Sequence, residues 1–263
     1  TDRRRLYQYP THQRCCFYSL VKIIYCLTLT VVIFGYTMDH KENTSTDWSN
    51  NLTIYEVNLR QYTPQGTIRA FREHLPRLKS LGVGILWFMP IQPIGTVNRK
   101  GTLGSYYSVQ DYYGINPEFG TLDEFRSLVD EIHELDMYVI LDWVANHTAW
   151  DNPMASEHPE WYTKNDEGNF QPPPGTNWDD VIDLDYSNDD LRAYMTAAME
   201  YWVREVGIDG FRCDVAGMVP TDFWESVIPA LQKIKPVFML AEWDDPELLE
   251  NAFHADYNSG LYH

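Results

Sequence analysis

Two carboxylates in the second half of the chain have the types and spacing of an acid–base pair. Arg212 and Asp214 lie two positions apart in the apolar segment 208–214, so both side chains would point to the same face of a β-strand. The neighbouring cation would keep Asp214 ionised, as a nucleophile requires. Glu242 follows the apolar segment 237–241, where drier surroundings would raise its carboxyl pKa, as a general acid requires. Two carboxylates with separated pKa values are the working pair of a glycosidase.

The elements that must position these residues alternate between strand and helix. Apolar runs predict strands at 53–59, 83–89, 138–144, 208–214 and 237–243. Helical spacing of apolar residues predicts helices at 67–81, 121–135, 187–206 and 222–234. This alternation predicts a parallel sheet with helical crossovers, which fits either a doubly wound sheet or an eight-stranded barrel.

Polar residues at the carboxyl ends of the predicted strands favour the barrel. They are Asp142, Asn146, His147, Arg212, Asp214 and Glu242. In a (β/α)8 TIM barrel the active site is built at that rim. Two long insertions, 90–120 and 147–186, leave from the same side of the sheet, and loops of that length are usually functional. We therefore predict an α/β fold of the TIM-barrel type with a loop domain inserted at 147–186, after the third strand.

The net charge of the chain indicates which binding partners to expect, and its N-terminal residues indicate its cellular location. The chain has 20 basic and 38 acidic residues, a net charge of −18 that disfavours a nucleic-acid partner. Residues 1–38 join a basic flank to an uncharged run at 23–37, which is typical of a secretory signal or, counted over 17–37, of a membrane anchor. Residues 39–51 are polar and predict a linker. We expect the protein to be exported: periplasmic, secreted or membrane-anchored.

Three short stretches, in order along the chain, resemble the α-amylase family, glycoside hydrolase family 13. They are DWVANH at 142–147, GIDGFRCD at 207–214 and AEW at 241–243. Further similar stretches are IYEVNLRQYTPQGT at 54–67, LGVGILWFMPI at 81–91 and GSYYSVQDYYGINPEFGT at 104–121. The resemblance runs from about residue 52 to the end of the chain. It implies a barrel enzyme that cleaves α-glucosidic bonds by a retaining double displacement.

The same resemblance assigns roles to the residues that match the family motifs. Asp214 aligns with the catalytic nucleophile, Glu242 with the general acid/base, and Arg212 with the arginine that keeps the nucleophile ionised. We expect the two acids to face each other across a gap of about 5 Å, the separation of a retaining glycosidase. The substrate would be an α-1,4-glucan or a maltooligosaccharide, and the chemistry requires no cofactor.

Four further residues have supporting roles by resemblance. His147 and Tyr107 align with a histidine and a tyrosine that bind the sugar at the cleavage point, and Asp142 with an aspartate that supports the site. Asn146 aligns with a ligand of structural calcium in many members, so calcium is an expectation attached to that residue. The positions after Asp214 lack the basic pair of many α-amylases, which weakens the calcium assignment.

The resemblance stops short of a complete catalytic domain. The family's third carboxylate follows the seventh strand, and this sequence holds five or six of the eight strand–helix units over 52–263. We expect a fragment of a longer enzyme, poorly soluble and with negligible activity on its own.

Two alternatives to hydrolysis share the basic layout of this sequence. A transglycosylase or isomerase of the same family, acting on small α-glucosides, would carry the same motifs. A membrane-anchored, amylase-like ectodomain without catalysis would share the N-terminal run, but such ectodomains generally lose the acids that this chain keeps at positions 214 and 242.

Overall fold

A computed structural model of the protein describes residues 46–257. The basic leader predicted over 1–38, the anchor over 17–37 and the first part of the linker over 39–51 lie outside the described residues. Within the described part, no helix combines the length and apolar character needed to cross a bilayer.

Six parallel strands form the main sheet. They are β1 (Thr53–Val57), β2 (Val83–Phe88), β3 (Tyr138–Trp143), β6 (Gly210–Cys213), β7 (Phe238–Ala241) and β8 (Ala255–Asp256), with β4 (His147–Ala149) and β5 (Val181–Asp183) pairing antiparallel in the insertion. The order in the main sheet is β1-β2-β3-β6-β7-β8 and every pairing is parallel. Because this order never reverses, the sheet winds in one direction, as in a barrel. The sheet is an incomplete TIM barrel, as the sequence predicted.

Helices connect the strands of the main sheet, and one further helix, Pro153–Glu157 (α5), lies within the second insertion. They are α1 (Leu59–Tyr62), α2 (Ile68–Arg72), α3 (Leu75–Ser80), α4 (Leu122–Glu134), α5 (Pro153–Glu157), α6 (Asp189–Tyr201), α7 (Thr221–Gln232) and α8 (Glu247–Asn251). Thr121 and Glu124 form the capping box expected at the start of α4. A single helix over 67–81 was wrong, because Pro76 has no N–H to continue the ladder and the segment divides into α2 and α3.

The two faces of each strand bury different sets of residues. Leu86, Val139, Phe211 and Met239 face the helices in the larger core. The alternate residues Ile85, Ile140, Phe238 and Leu240 form a separate cluster on the inner face. Trp48, in a short 3-10 helix within the predicted linker, stacks on Tyr138 of this inner face with ring centroids 4.0 Å apart.

The inward-facing residues of β3 and β7 are followed, on the same face, by predicted site residues. Two positions beyond Ile140 is Asp142, and two beyond Leu240 is Glu242. Because side chains alternate along a strand, an apolar inner row ends in an acid at the carboxyl edge. The fold therefore brings the polar ends of β3, β6 and β7 to one rim.

Candidate active site

Arg212 is the centre of the site, because its guanidinium contacts three carboxylates. Its Nη1 is 2.7 Å from Asp142 Oδ1 and 3.0 Å from Asp214 Oδ1, and its Nη2 is 2.6 Å from Glu242 Oε1. The register places Asp142 opposite Arg212 on adjacent strands, and β7 brings Glu242 alongside. The predicted nucleophile and the predicted general acid thus contact two nitrogens of one guanidinium.

Aromatic side chains surround this charged cluster. Trp87 Nε1 donates a hydrogen bond of 3.1 Å to Asp142 Oδ2, and the Tyr107 hydroxyl lies 3.3 Å from the same oxygen. Arg212 Nε donates to the Tyr257 hydroxyl at 3.2 Å, and its guanidinium carbon lies 5.0 Å from the Trp87 ring centroid. Sequence analysis missed Trp87 and Tyr257. Trp87 could have been found by strand alternation, since it shares the inner face with Ile85.

Burial raises the carboxyl pKa values of two acids in this cluster. The pKa of Asp142 rises to about 7, because complete burial outweighs the opposing charge of Arg212. The pKa of Asp214 rises to about 8, first through burial and then through the charge of Asp142, and a hydrogen bond with Glu242 adds to the rise. Burial opposes the charge of Arg212, but the surrounding acids outweigh it and raise the pKa of Arg212.

The surroundings predicted for Asp214 and Glu242 were therefore wrong. Sequence analysis placed Asp214 beside a cation that would lower its pKa and placed Glu242 in the drier position. The Asp214 side chain is 10% exposed and that of Glu242 is 33% exposed. The reason is that burial and the charge of Asp142 outweigh Arg212 at Asp214, and that Glu242 borders open space at the rim. One Glu242 oxygen also accepts a hydrogen bond of 3.0 Å from the Val215 backbone N–H.

A cavity of about 370 Å³ opens beside the acids. Its walls include Tyr107, His147, Trp178, Asp214 and Glu242. His147 begins β4 and is buried, and burial lowers its pKa to about 4, so its ring is neutral at pH 7. A neutral ring both donates and accepts, as does a sugar hydroxyl. The structure thus brings Tyr107 and His147 to the same cavity as the two acids.

The role of Asn146 as a calcium ligand stays a prediction. Its side-chain amide lies 3.3 Å from His147 Nδ1, and its backbone carbonyl accepts from the Leu184 N–H at 3.1 Å. Within residues 46–257 no three acidic, histidine or cysteine side chains converge as metal ligands. Calcium takes six to eight oxygens, with carboxylates prominent among them.

An incomplete TIM barrel with an arginine-linked acid pair at its rim defines a glycosidase type of site. The family model of the α-amylase catalytic domain matches residues 36–237. α-Amylase 3 of Dictyoglomus thermophilum is 30% identical, over 92% of this chain and 51% of that protein. An α-1,4-glucan:maltose-1-phosphate maltosyltransferase of Arcanobacterium haemolyticum is 30% identical, over 73% of this chain and 31% of that protein.

A solved structure gives the same result. The crystal structure of an α-amylase from Lactobacillus plantarum superposes with a TM-score of 0.77 and 42% identity, over 81% of this chain and 54% of that chain. The chain spans about half the length of that α-amylase and of the Dictyoglomus relative. The protein belongs to the α-amylase family, whose members are enzymes that act on glycosidic bonds.

Proposed function

We propose that the enzyme hydrolyses α-glucosidic bonds in α-1,4-glucans or maltooligosaccharides with retention at the anomeric carbon. The observation that carries the proposal is the pair Asp214 and Glu242, held by Arg212 on adjacent strands and facing one cavity with Tyr107 and His147. The names of two relatives, an α-amylase and an α-1,4-glucan:maltose-1-phosphate maltosyltransferase, support this substrate class.

The proposed reaction has two displacements at the same carbon. In the first, an Asp214 oxygen bonds to the anomeric carbon while the glycosidic bond breaks. The leaving oxygen keeps the electron pair of the broken bond and takes a proton from Glu242. In the second, Glu242 takes a proton from water as the water oxygen attacks, and the Asp214 carboxylate leaves. Two inversions give net retention.

The charged cluster can hold the proton that this cycle needs. With every group ionised, three carboxylates around one guanidinium would carry two uncompensated negative charges. A buried cluster avoids such a charge by keeping a proton near neutral pH, as the raised pKa values of Asp142 and Asp214 indicate. We propose that bound substrate places this proton on Glu242, whose carboxyl group is the more exposed one.

Transfer to a sugar acceptor is the second candidate reaction. An open cavity of about 510 Å³ borders Glu242 on the side of Trp243 and Tyr257, and an acceptor sugar could replace water there. The maltosyltransferase relative belongs to this reaction class. Both reactions share the first displacement, so product analysis separates them.

A trapping experiment tests the roles. In the enzyme carrying this sequence, a fluorinated glucosyl fluoride should label Asp214, as read by peptide mass spectrometry. Asp214→Asn and Glu242→Gln should lower kcat on maltoheptaose by at least about 1,000-fold. Asp166→Asn and Glu250→Gln make the same chemical changes at exposed positions and should retain activity. A label on a different acid, or a first product of inverted configuration by NMR, would overturn the proposal.

We also propose that the protein is exported, and this proposal rests on residues 1–38 alone. The basic flank and the apolar run over 17–37 are the support, and they distinguish neither a cleaved signal nor a retained anchor. Cell fractionation with N-terminal sequencing of the mature protein tests this, and an intact N-terminus in the cytoplasmic fraction would contradict it.

A further inference from the structure

The two insertions that leave the rim contact each other through Lys100 at the wall of the cavity that holds the acids. Its Nζ lies 3.1 Å from Asp180 Oδ1 and donates a hydrogen bond of 2.9 Å to the Asn177 carbonyl. Lys100 belongs to the first insertion, and Asp180 and Asn177 belong to the second. Lys100 and Asp180 also line the cavity that holds the acids. The Lys100–Asp180 pair is therefore a bridge across the cavity.

Burial makes this pair different from an ordinary surface ion pair. The Asp180 side chain is 6% exposed, whereas that of Lys100 is 49% exposed. Replacing Lys100 alone would therefore leave the charge of a buried carboxylate uncompensated, which does not happen when an exposed pair is broken. The Asp180 backbone carbonyl also accepts a hydrogen bond of 3.0 Å from Ser108 Oγ, which joins the same two insertions a second time.

The bridge lies on the nucleophile side of the cleavage point. The His147 ring lies 5.4 Å from the Trp178 ring, and Asp180 acts electrostatically on the same histidine. The cavity beside the bridge is lined by both Asp214 and Glu242, whereas the open cavity beside Trp243 is lined by Glu242 and not by Asp214. The sugar that bonds to the nucleophile belongs to the part of the substrate before the cleaved bond. That part therefore occupies the cavity beside the bridge.

We propose that the Lys100–Asp180 bridge closes this end of the cavity and limits how many glucosyl units precede the cleaved bond. The inference rests on the hydrolase proposal and adds a specificity determinant to it. A cavity of about 370 Å³ is near the lower end of ligand cavities, which supports a short occupant. The enzyme would then release short sugars from the non-reducing side, while the open cavity accepts a longer remainder.

Product length from maltoheptaose labelled at its reducing end tests the bridge. The wild-type enzyme should release unlabelled glycones of one or two units, measured by mass spectrometry. Lys100→Ala should raise the ratio of glycones of three or more units to shorter ones by about tenfold, equivalent to about 1.4 kcal/mol. Lys100→Arg keeps the cation and should behave as wild type. Lys164→Ala removes a lysine of the second insertion that is absent from the cavity lining and is the matched control.

A double variant and a binding measurement keep the test decisive. Lys100→Ala with Asp180→Asn removes both charges, so it opens the bridge without leaving a buried carboxylate unpaired. Calorimetry in a Glu242→Gln background should show a higher affinity for maltotetraose relative to maltose when Lys100 is replaced. Unchanged product lengths and affinity ratios in both variants would overturn the bridge. An altered affinity ratio without cleavage by any variant would support the bridge while refuting the hydrolase proposal.

Discussion

Replacing Arg212 by lysine is the most direct test of how the site controls its charge. The guanidinium contacts three acids through two nitrogens, at 2.7, 3.0 and 2.6 Å, and its third nitrogen donates to Tyr257. A lysine ammonium is a single point charge and cannot span these positions. We expect it to stay with Asp142, the most buried of the three acids, and to leave Asp214 without its cation.

The size of the effect follows from the distance between the charges. At 3.0 Å and an effective dielectric constant of about 20, a unit charge interacts with a carboxylate by roughly 5.5 kcal/mol. That energy corresponds to about four pKa units, but the lysine ammonium stays nearby on Asp142 and keeps most of this attraction, so a rise of roughly one pKa unit is expected for Asp214. In the proposed mechanism Asp214 attacks in its ionised form, so the acid limb of kcat/KM should move up by about one pH unit.

The assay is the pH dependence of kcat/KM on a maltooligosaccharide, with the free energy of unfolding measured in parallel. Unfolded protein lowers the rate without moving the limb, so the position of the limb reports the pKa. Arg204→Lys makes the same change in an exposed arginine paired with Glu200 and should leave the profile unchanged. An acid limb of Arg212→Lys at the wild-type pH, or below it, would refute the reasoning.

Three other measurements test different parts of the structure. The free energy of unfolding should fall as pH rises from about 6.5 to 8, because Asp142 and Asp214 keep protons in the folded state that the unfolded chain has released. Their folded pKa values are about 7 and 8. Asp142→Asn should flatten this slope by up to about 1.4 kcal/mol per pH unit, and a flat wild-type curve would contradict the expectation. His147→Asn should lower kcat/KM about tenfold or more, without changing the pH dependence of kcat/KM above pH 5, since the pKa of His147 is about 4. If the variant lost a limb of this pH dependence near pH 6.5, the expectation would be contradicted. Gly210→Ala should abolish folding, because its Cβ would lie 1.8 Å from the Phe238 carbonyl oxygen. Gly168→Ala should still give soluble protein, because Gly168 also has a positive φ but no atom lies within 4 Å of its added Cβ. Equal soluble yields of the two variants would show that the close approach is wrong.

The parts of the site that lie on regular strands could be predicted from the sequence. An apolar run fixes both the strand and the alternation of its side chains, so the acids at positions 142, 214 and 242 were assigned to one rim before any coordinates. Tyr257 could not be found this way, because β8 is only two residues long and has no pattern to extend. The Lys100–Asp180 bridge joins two irregular insertions, and nothing in the spacing of those residues predicts their contact.

The low pKa predicted for Asp214 was wrong first because the carboxyl group is buried, and second because other acids share its cation. An arginine two positions from an aspartate on one strand implies one cation for one acid, and on that count Asp214 is ionised at neutral pH. The fold adds Asp142 from β3 and Glu242 from the end of β7, and one cation then serves three acids. Such a cluster keeps a proton near pH 7, and a retaining glycosidase needs one mobile proton at this point. Sequence motifs locate the acids, whereas the packing of neighbouring strands decides how many protons they hold.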